Sequence, residues 1–137
     1  MSSFLYPSYL YFSTLHQIDT NNDDHKTILL TDAYTPSRTH QHRSDVEAYE
    51  ITGTGYTSGG IARTVTSTFG AGVFQVTLAI VEFTSVTVTG VRYVVTYRDN
   101  GTTSADDQLV AVNDLGTQRS DLSGSFKIGQ SYYRNPA

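Results

Sequence analysis

From residue 61 onward the chain alternates apolar and polar side chains with a period of two. Ile61, Arg63 and Val65 alternate with Ala62, Thr64 and Thr66. Phe74, Val76, Leu78 and Ile80 then oppose Gln75 and Thr77, and Val86 and Val88 oppose Ser85, Thr87 and Thr89. Beyond Gly90, Val91, Tyr93, Val95 and Tyr97 oppose Arg92, Val94, Thr96 and Arg98. Only a strand sends neighbouring side chains to opposite faces, so this stretch must form half-buried sheet. Leu109–Leu115 and Ser125–Ile128 read as two further strands. Gly70 and Gly72 bracket one turn, and Asp99-Asn100-Gly101 is a hairpin signal. Turns recurring roughly every eight to twelve residues indicate a sandwich or barrel.

The remaining segments fit around that sheet. Lys26–Thr31 is a short apolar run bounded by polar turns and reads as a buried strand. Residues 32–45 hold a proline and little that is apolar, which is loop composition. Val46–Ile51 reads as a short helix or strand, and Gly53–Gly60 as a glycine-rich turn. In residues 1–25, Tyr9, Leu10, Phe12, Leu15 and Ile18 have an imperfect helical spacing, and Pro7 suits a first helical turn. The same aromatic and serine content also suits an extended arm. The expected architecture is therefore all-β: a single antiparallel β-sandwich or jelly-roll-like domain over residues 26–130. Residues 1–25 form a short N-terminal helix or extended arm, and residues 131–137 a C-terminal tail. A chain of 137 residues matches one such domain.

Composition narrows the function. There is no cysteine, so disulfides, thiolate nucleophiles and cysteine zinc sites are excluded. A net charge of −4 lacks the basic footprint of a nucleic-acid binder. No apolar run has the length of a membrane span, and the first fifteen residues carry no Lys or Arg, unlike a signal peptide. Neither nucleic acid nor membrane is expected as a partner.

The motifs that suggest chemistry each have a plainer explanation. His40 and His42 on a strand would share a face, and Glu47 follows, which loosely echoes a cupin metal motif. The echo lacks the upstream glycine and a second histidine motif, and its flanks read as exposed loop. The glycines at 53, 55, 59 and 60 invite a phosphate-loop reading. That reading requires a helix afterwards, and the P-loop version a lysine; here a β-branched strand follows. Asp23-Asp24 and Asp106-Asp107 are adjacent pairs, and neighbours on a strand point apart. Asn100-Gly101-Thr102 is a glycosylation sequon that reads as a hairpin turn. The four histidines lie in predicted arm or loop, and no nucleophile elbow is present. No catalytic residue, cofactor or metal ligand is assigned, and the chain is read as a non-enzyme.

Two stretches carry a resemblance. The first is Lys26-Thr-Ile-Leu-Leu-Thr-Asp-Ala-Tyr-Thr-Pro36, followed by Asp45-Val46, Glu50 and Gly53-Thr-Gly-Tyr-Thr-Ser-Gly-Gly60. The second is Gly90–Gly101, then Gln108–Gly116, then Ser120–Ile128. Together they resemble a group of small structural proteins of tailed bacteriophages and prophages, over most of residues 26–128. Leu115 stands where that group favours an aromatic residue, and the N-terminal segment is poorer in charge than the group's amphipathic helix. The motifs are turn and strand signatures, so they speak to fold before role.

The resemblance implies a virion component, with capsid decoration favoured: a cement protein on the surface of a phage head. It would bind the major capsid protein, associate as a homo-oligomer, and be synthesised in the host cytoplasm. The expected partner-facing residues are the aromatics at the two ends, namely Phe4, Tyr6, Tyr9, Tyr11 and Phe12, with Tyr132 and Tyr133. Tyrosine supplies contact area at little entropic cost. The alternatives are packing of these aromatics on their own domain, or a tail or fibre component that stacks host carbohydrate on exposed tyrosines such as Tyr93 and Tyr97.

Overall fold

The computed structural model describes residues 3–135, apart from the side chains of residues 121–123 and 135. The outer ends of the expected arm and tail, residues 1–2 and 136–137, lie outside the described residues. In chain order the elements are β1 (Phe4–Leu5), α1 (Pro7–Thr14), β2 (His25–Thr31), β3 (Ile61–Ala62), β4 (Val65–Gly70), β5 (Val73–Leu78), β6 (Val81–Arg98), β7 (Gln108–Ile128) and β8 (Ser131–Asn135). All strand pairings are antiparallel. They form a five-stranded sheet of order β1-β7-β6-β2-β3 and a three-stranded sheet of order β4-β5-β8. The domain is all-β and sandwich-like, with one short helix near its N-terminus.

The larger sheet is built on the β6–β7 hairpin. Its strands run 18 and 21 residues, where the sequence suggests shorter pieces. The strands expected on either side of Gly90 are one strand, and those expected at 109–115 and 125–128 are also one. The pairing absorbs the irregularities as bulges. Its register shifts repeatedly between Phe83 and Tyr93, and Ser85 and Gly90 adopt positive φ. A bulge keeps a strand continuous while bending it.

The apolar run in β2 now has its reason. Ile28 and Leu30 join one core cluster with Tyr34, Tyr93, Val95 and Leu109. Leu29 joins a second with Phe83, Val88, Val94 and Phe126. The centre of the sheet is buried on both faces, so strict alternation gives way to continuous apolar residues. A third cluster brings Val65, Val76 and Leu78 of the small sheet onto Tyr9 and Phe12 of α1 and Val110 of β7.

Both chain ends belong to the domain. β1 pairs with β7 through Phe4–Val112 and Leu5–Ala111. The C-terminal segment, expected as a tail, is strand β8 and pairs with β5 through Val76–Tyr133 and its neighbours. Residues 1–25 contain the expected helix rather than a free arm.

Three crossovers between the sheets meet at one side chain. Arg63 lies in the β3–β4 crossover and is only 4% exposed. Its Nε donates to the Ala79 carbonyl in the β5–β6 crossover at 2.8 Å. Its Nη2 donates to the Gly129 carbonyl in the β7–β8 crossover at 3.2 Å. Its Nη1 reaches Thr96 Oγ1 at 3.2 Å, and that hydroxyl lies 3.0 Å from Thr27 Oγ1. No carboxylate pairs with this guanidinium among the described residues. Burial lowers its pKa to about 10, so it stays charged at neutral pH and its hydrogen bonds are charge-assisted.

Replacing Arg63 with Met would leave buried carbonyls without donors and should cost on the order of 2–4 kcal/mol, read by urea denaturation. Arg63→Lys, with one nitrogen to serve diverging acceptors, should recover only part of that loss.

Candidate interaction surface

The glycine-rich segment is a strap. A Cβ at Gly53 would lie 2.0 Å from the Thr87 carbonyl oxygen, and one at Gly60 would lie 1.8 Å from that of Thr27. Glycine is required because the loop backbone lies against the backbones of β6 and β2. Glu50 holds the strap from beneath. Its carboxylate accepts the Tyr56 hydroxyl at 2.5 Å, the Gly59 amide at 2.9 Å and the Ser58 hydroxyl at 3.3 Å. The Tyr56 hydroxyl in turn accepts the Leu29 amide at 3.1 Å. These groups are engaged in holding the sheet, and the segment after the strap is strand β3, not a helix.

His40 and His42 do not form a shared face. The His40 Nδ1 lies 2.9 Å from the Tyr34 hydroxyl, which is itself 2.7 Å from the Tyr6 hydroxyl. His42 packs its ring beside Phe12 and precedes a single 3-10 turn at Arg43–Asp45. Among the described residues no group of three or more His, Asp or Glu side chains is placed to hold a metal. No helix among them is long and apolar enough to cross a membrane.

The seven aromatics expected at an interface divide into two sets. Tyr6, Tyr9 and Phe12 are buried in the protein's own core, which corrects the expectation that they face a partner. Their polar ends show why: Tyr6 bonds Tyr34, and the Tyr9 hydroxyl bonds Thr20. A buried tyrosine needs such a partner. Tyr93 and Tyr97, named for sugar stacking, are also buried. Tyr93 meets Tyr34 edge to face, and the Tyr97 hydroxyl donates to the Gly59 carbonyl under the strap. Neither face is open to a sugar.

The other four converge on one side of the molecule. Phe4, Leu5, Leu10, Phe74, Tyr132 and Tyr133 line a groove of about 550 Å³ between β1 and α1 on one side and β5 and β8 on the other. Tyr132 is 51% exposed. Tyr133 is partly buried against the body, with its hydroxyl 3.1 Å from the Val112 carbonyl, and burial raises its pKa to about 12. Tyr11, 61% exposed, lies beside the groove in a shallower depression that shares Arg38 with it.

The helix explains why this side is apolar. α1 reads Pro-Ser-Tyr-Leu-Tyr-Phe-Ser-Thr and carries no charge. Tyr9 and Phe12 turn inward, while Leu10 and Tyr11, with Leu15 just beyond the helix, are exposed. The outward face of α1 thus sets exposed apolar side chains among serine and threonine, with no charged residue between them. The β4–β5 hairpin adds to this. Phe69 and Phe74 pair across it in register with the buried Val65–Leu78 pair, yet Phe69 at its tip is 78% exposed.

Two guanidiniums flank the groove. Arg38 stands 4.3 Å from the centre of the Phe4 ring. Arg134 lies over Tyr132 at 5.4 Å, and its Nε donates to Gln75 Oε1 at 2.6 Å. Neither meets a carboxylate among the described residues, whereas Arg43, Arg92 and Arg98 are paired with Asp107, Asp114 and Asp23. The sequence pointed to the terminal aromatics, and to Arg134 beside Tyr132 and Tyr133, but not to Leu10, Phe74 or Arg38 as groove residues. Leu10 differs from Tyr9 only by one helical position, and the arginines come from a loop and a strand that sequence spacing does not bring together.

Compared with protein-family models, with curated proteins and with solved structures, the chain finds no match.

A second feature lies at the start of β2. His25 is 4% exposed, and its Nε2 lies 3.1 Å from the Thr20 carbonyl, so that nitrogen carries the proton. Its Nδ1 is buried without a partner among the described residues. Burial holds the imidazole pKa below its usual value.

The core and groove aromatics should separate cleanly on substitution. Tyr9→Ala should cost about 3–5 kcal/mol, while Tyr11→Ser and Tyr132→Ser should each change stability by less than about 0.5 kcal/mol, as read by chemical denaturation. For His25, the unfolded chain takes up a proton at higher pH than the folded one. Stability should therefore fall as pH drops below about 6.5 and level off below the folded pKa. Thermal melts between pH 7.5 and 5 should show this fall, and His25→Gln should flatten it.

Proposed function

We propose that this chain is a non-enzymatic structural protein of a tailed-phage particle, a decoration protein seated on the capsid surface against the major capsid protein. The observation that carries the reading is the aromatic groove: an uncharged helix and a sheet edge expose apolar side chains together on one side of the domain. Decoration needs a rigid body, a docking face and no chemistry. The groove supplies a face of that kind. The titratable side chains that sequence motifs single out serve the fold instead: Glu50 holds the strap, His40 bonds Tyr34, and Asp107 pairs with Arg43.

The resemblance to small phage structural proteins supports the same reading, and the structure gives its motifs mechanical work. The segment ending at Pro36 contributes β2 and the core residue Tyr34. The glycine-rich motif is the strap, and the three later segments lie along the two strands of the long hairpin and its turn. Copies on a symmetric shell would be arranged as oligomers around its axes.

Heads purified from a phage deleted for this gene provide the test. Added chain should co-sediment with them and saturate, and reconstruction should show density repeated over the icosahedral surface. Heads without the chain should lose DNA at a lower temperature than decorated heads. Density confined to the tail would replace decoration with a tail role. No binding to any part of the particle would remove the virion reading.

A further inference from the structure

We infer that the groove between β1 and β8 receives an extended segment of the shell protein, with apolar residues alternating with at least one carboxylate, which adds as a strand to the free edge of β8. The inference rests on the reading of this chain as a particle component and specifies how it docks.

Three independent features point to that occupant. The first is backbone. β8 ends the order β4-β5-β8 and pairs only with β5. Among the described residues no other backbone hydrogen bond reaches Ser131–Asn135. Its outer edge thus offers unpaired amides and carbonyls, which an added strand satisfies. Five residues of strand span about 17 Å, enough to fix the register of a short segment.

The second is side-chain pattern. The groove beside that edge is apolar, formed by Phe4, Leu10, Phe74 and Tyr132. An added strand would turn every second side chain into it and the others outward. An alternating segment fits this, whereas a helix would leave the edge unpaired.

The third is charge. Arg38 and Arg134 line the groove with no carboxylate opposite them among the described residues, in a chain whose net charge is −4. Of the other arginines, Arg43, Arg92 and Arg98 are paired, while Arg63 is spent on buried carbonyls and Arg119 lies on the exposed ribbon over Phe126. Each of the two already sits over an aromatic ring, which holds the guanidinium plane at the groove. A carboxylate on the incoming segment would complete both the ion pair and the stack. A second copy placed β8 against β8 would bring Arg134 of each copy to the same edge, so charge favours a different, acidic occupant.

The test uses the full chain and heads that lack it. Hydrogen exchange is measured on the free chain and on chain bound to heads. The amides of Ser131–Asn135 that exchange fast in the free chain should slow at least tenfold on binding, while those of β3 and β4 should not change. Arg134→Glu should weaken binding at least tenfold and flatten its dependence on salt. Arg119→Glu, the same charge change on the exposed ribbon away from the groove, should bind as wild type. Equal melting temperatures for the two variants would show that folding is not the cause.

Binding to heads with no slowing at β8, or with Arg134→Glu equal to wild type, would overturn the strand-addition inference and leave the particle reading standing. Slowing at β8 in the free chain that grows with its concentration would also overturn it, in favour of a second copy. Failure of the wild-type chain to bind heads would remove both readings together.

Discussion

Arg63 is the constraint on which the two-sheet arrangement depends. A sandwich whose chain passes three times between sheets must bury backbone at each crossing, where no ladder satisfies it. Here the three crossings lie together, and one guanidinium supplies donors to two of them from within the third. A hydroxyl would serve one carbonyl. The planar fork of arginine serves diverging acceptors at once. The Ala79 amide returns a bond to the Thr64 carbonyl beside it, so the corner is tied in both directions. The cost is a buried charge without a counter-ion. No carboxylate offsets it among the described residues, and burial, the larger effect, lowers its pKa.

The glycine strap solves a different problem. The face of β2 and β6 opposite the loops would otherwise be open, and a loop of ordinary residues cannot approach a strand so closely. Gly53, Gly55 and Gly60 remove the Cβ atoms that would strike the strand carbonyls. The Thr87 amide then donates to the Thr54 carbonyl at 2.8 Å, so the strap pairs with the sheet it covers. Glu50 gathers the far side of the strap through Tyr56, Ser58 and Gly59. Burial raises the Tyr56 pKa, with the neighbouring Glu50 acting in the same direction, so the phenol remains a donor. A motif that resembles a phosphate cradle is thus a cradle for the protein's own backbone.

Much of this was legible in the sequence, and the limits have physical causes. Period-two alternation identified the strands of the sheet, and the apolar run at Lys26–Thr31 marked a strand buried on both faces. Strand length was not legible, because a bulge at Ser85 or Gly90 has the same local signature as a turn. The terminal strand β8 was missed because Tyr132 and Tyr133 are a short pair whose partner, β5, lies more than fifty residues earlier. Arg63 read only as one member of the alternating row Ile61, Arg63 and Val65, with no role of its own. Nothing local distinguishes a surface arginine from one whose acceptors arrive from two distant crossovers. The N-terminal aromatics read either as partner anchors or as packing on their own domain, and spacing alone could not assign Tyr6, Tyr9 and Phe12 to the core and leave Tyr11 outside.

That division of the N-terminal aromatics also separates the residues that hold the fold from those that the proposed docking would use. The inward residues of α1 are tied by hydrogen bonds and packing to the loops and to the small sheet, so the helix is fixed before any partner arrives. Its outward residues, with the edge of β8, then present a surface whose order costs little on binding. An unsupported aromatic arm would have to be immobilised at the moment of contact. Here the domain has already ordered the groove, and the guanidiniums of Arg38 and Arg134 are held over rings instead of moving freely in solvent. In the proposed docking the core tyrosines would therefore contribute indirectly, by holding rigid the face that the exposed Tyr11 and Tyr132 form with the half-buried Phe4.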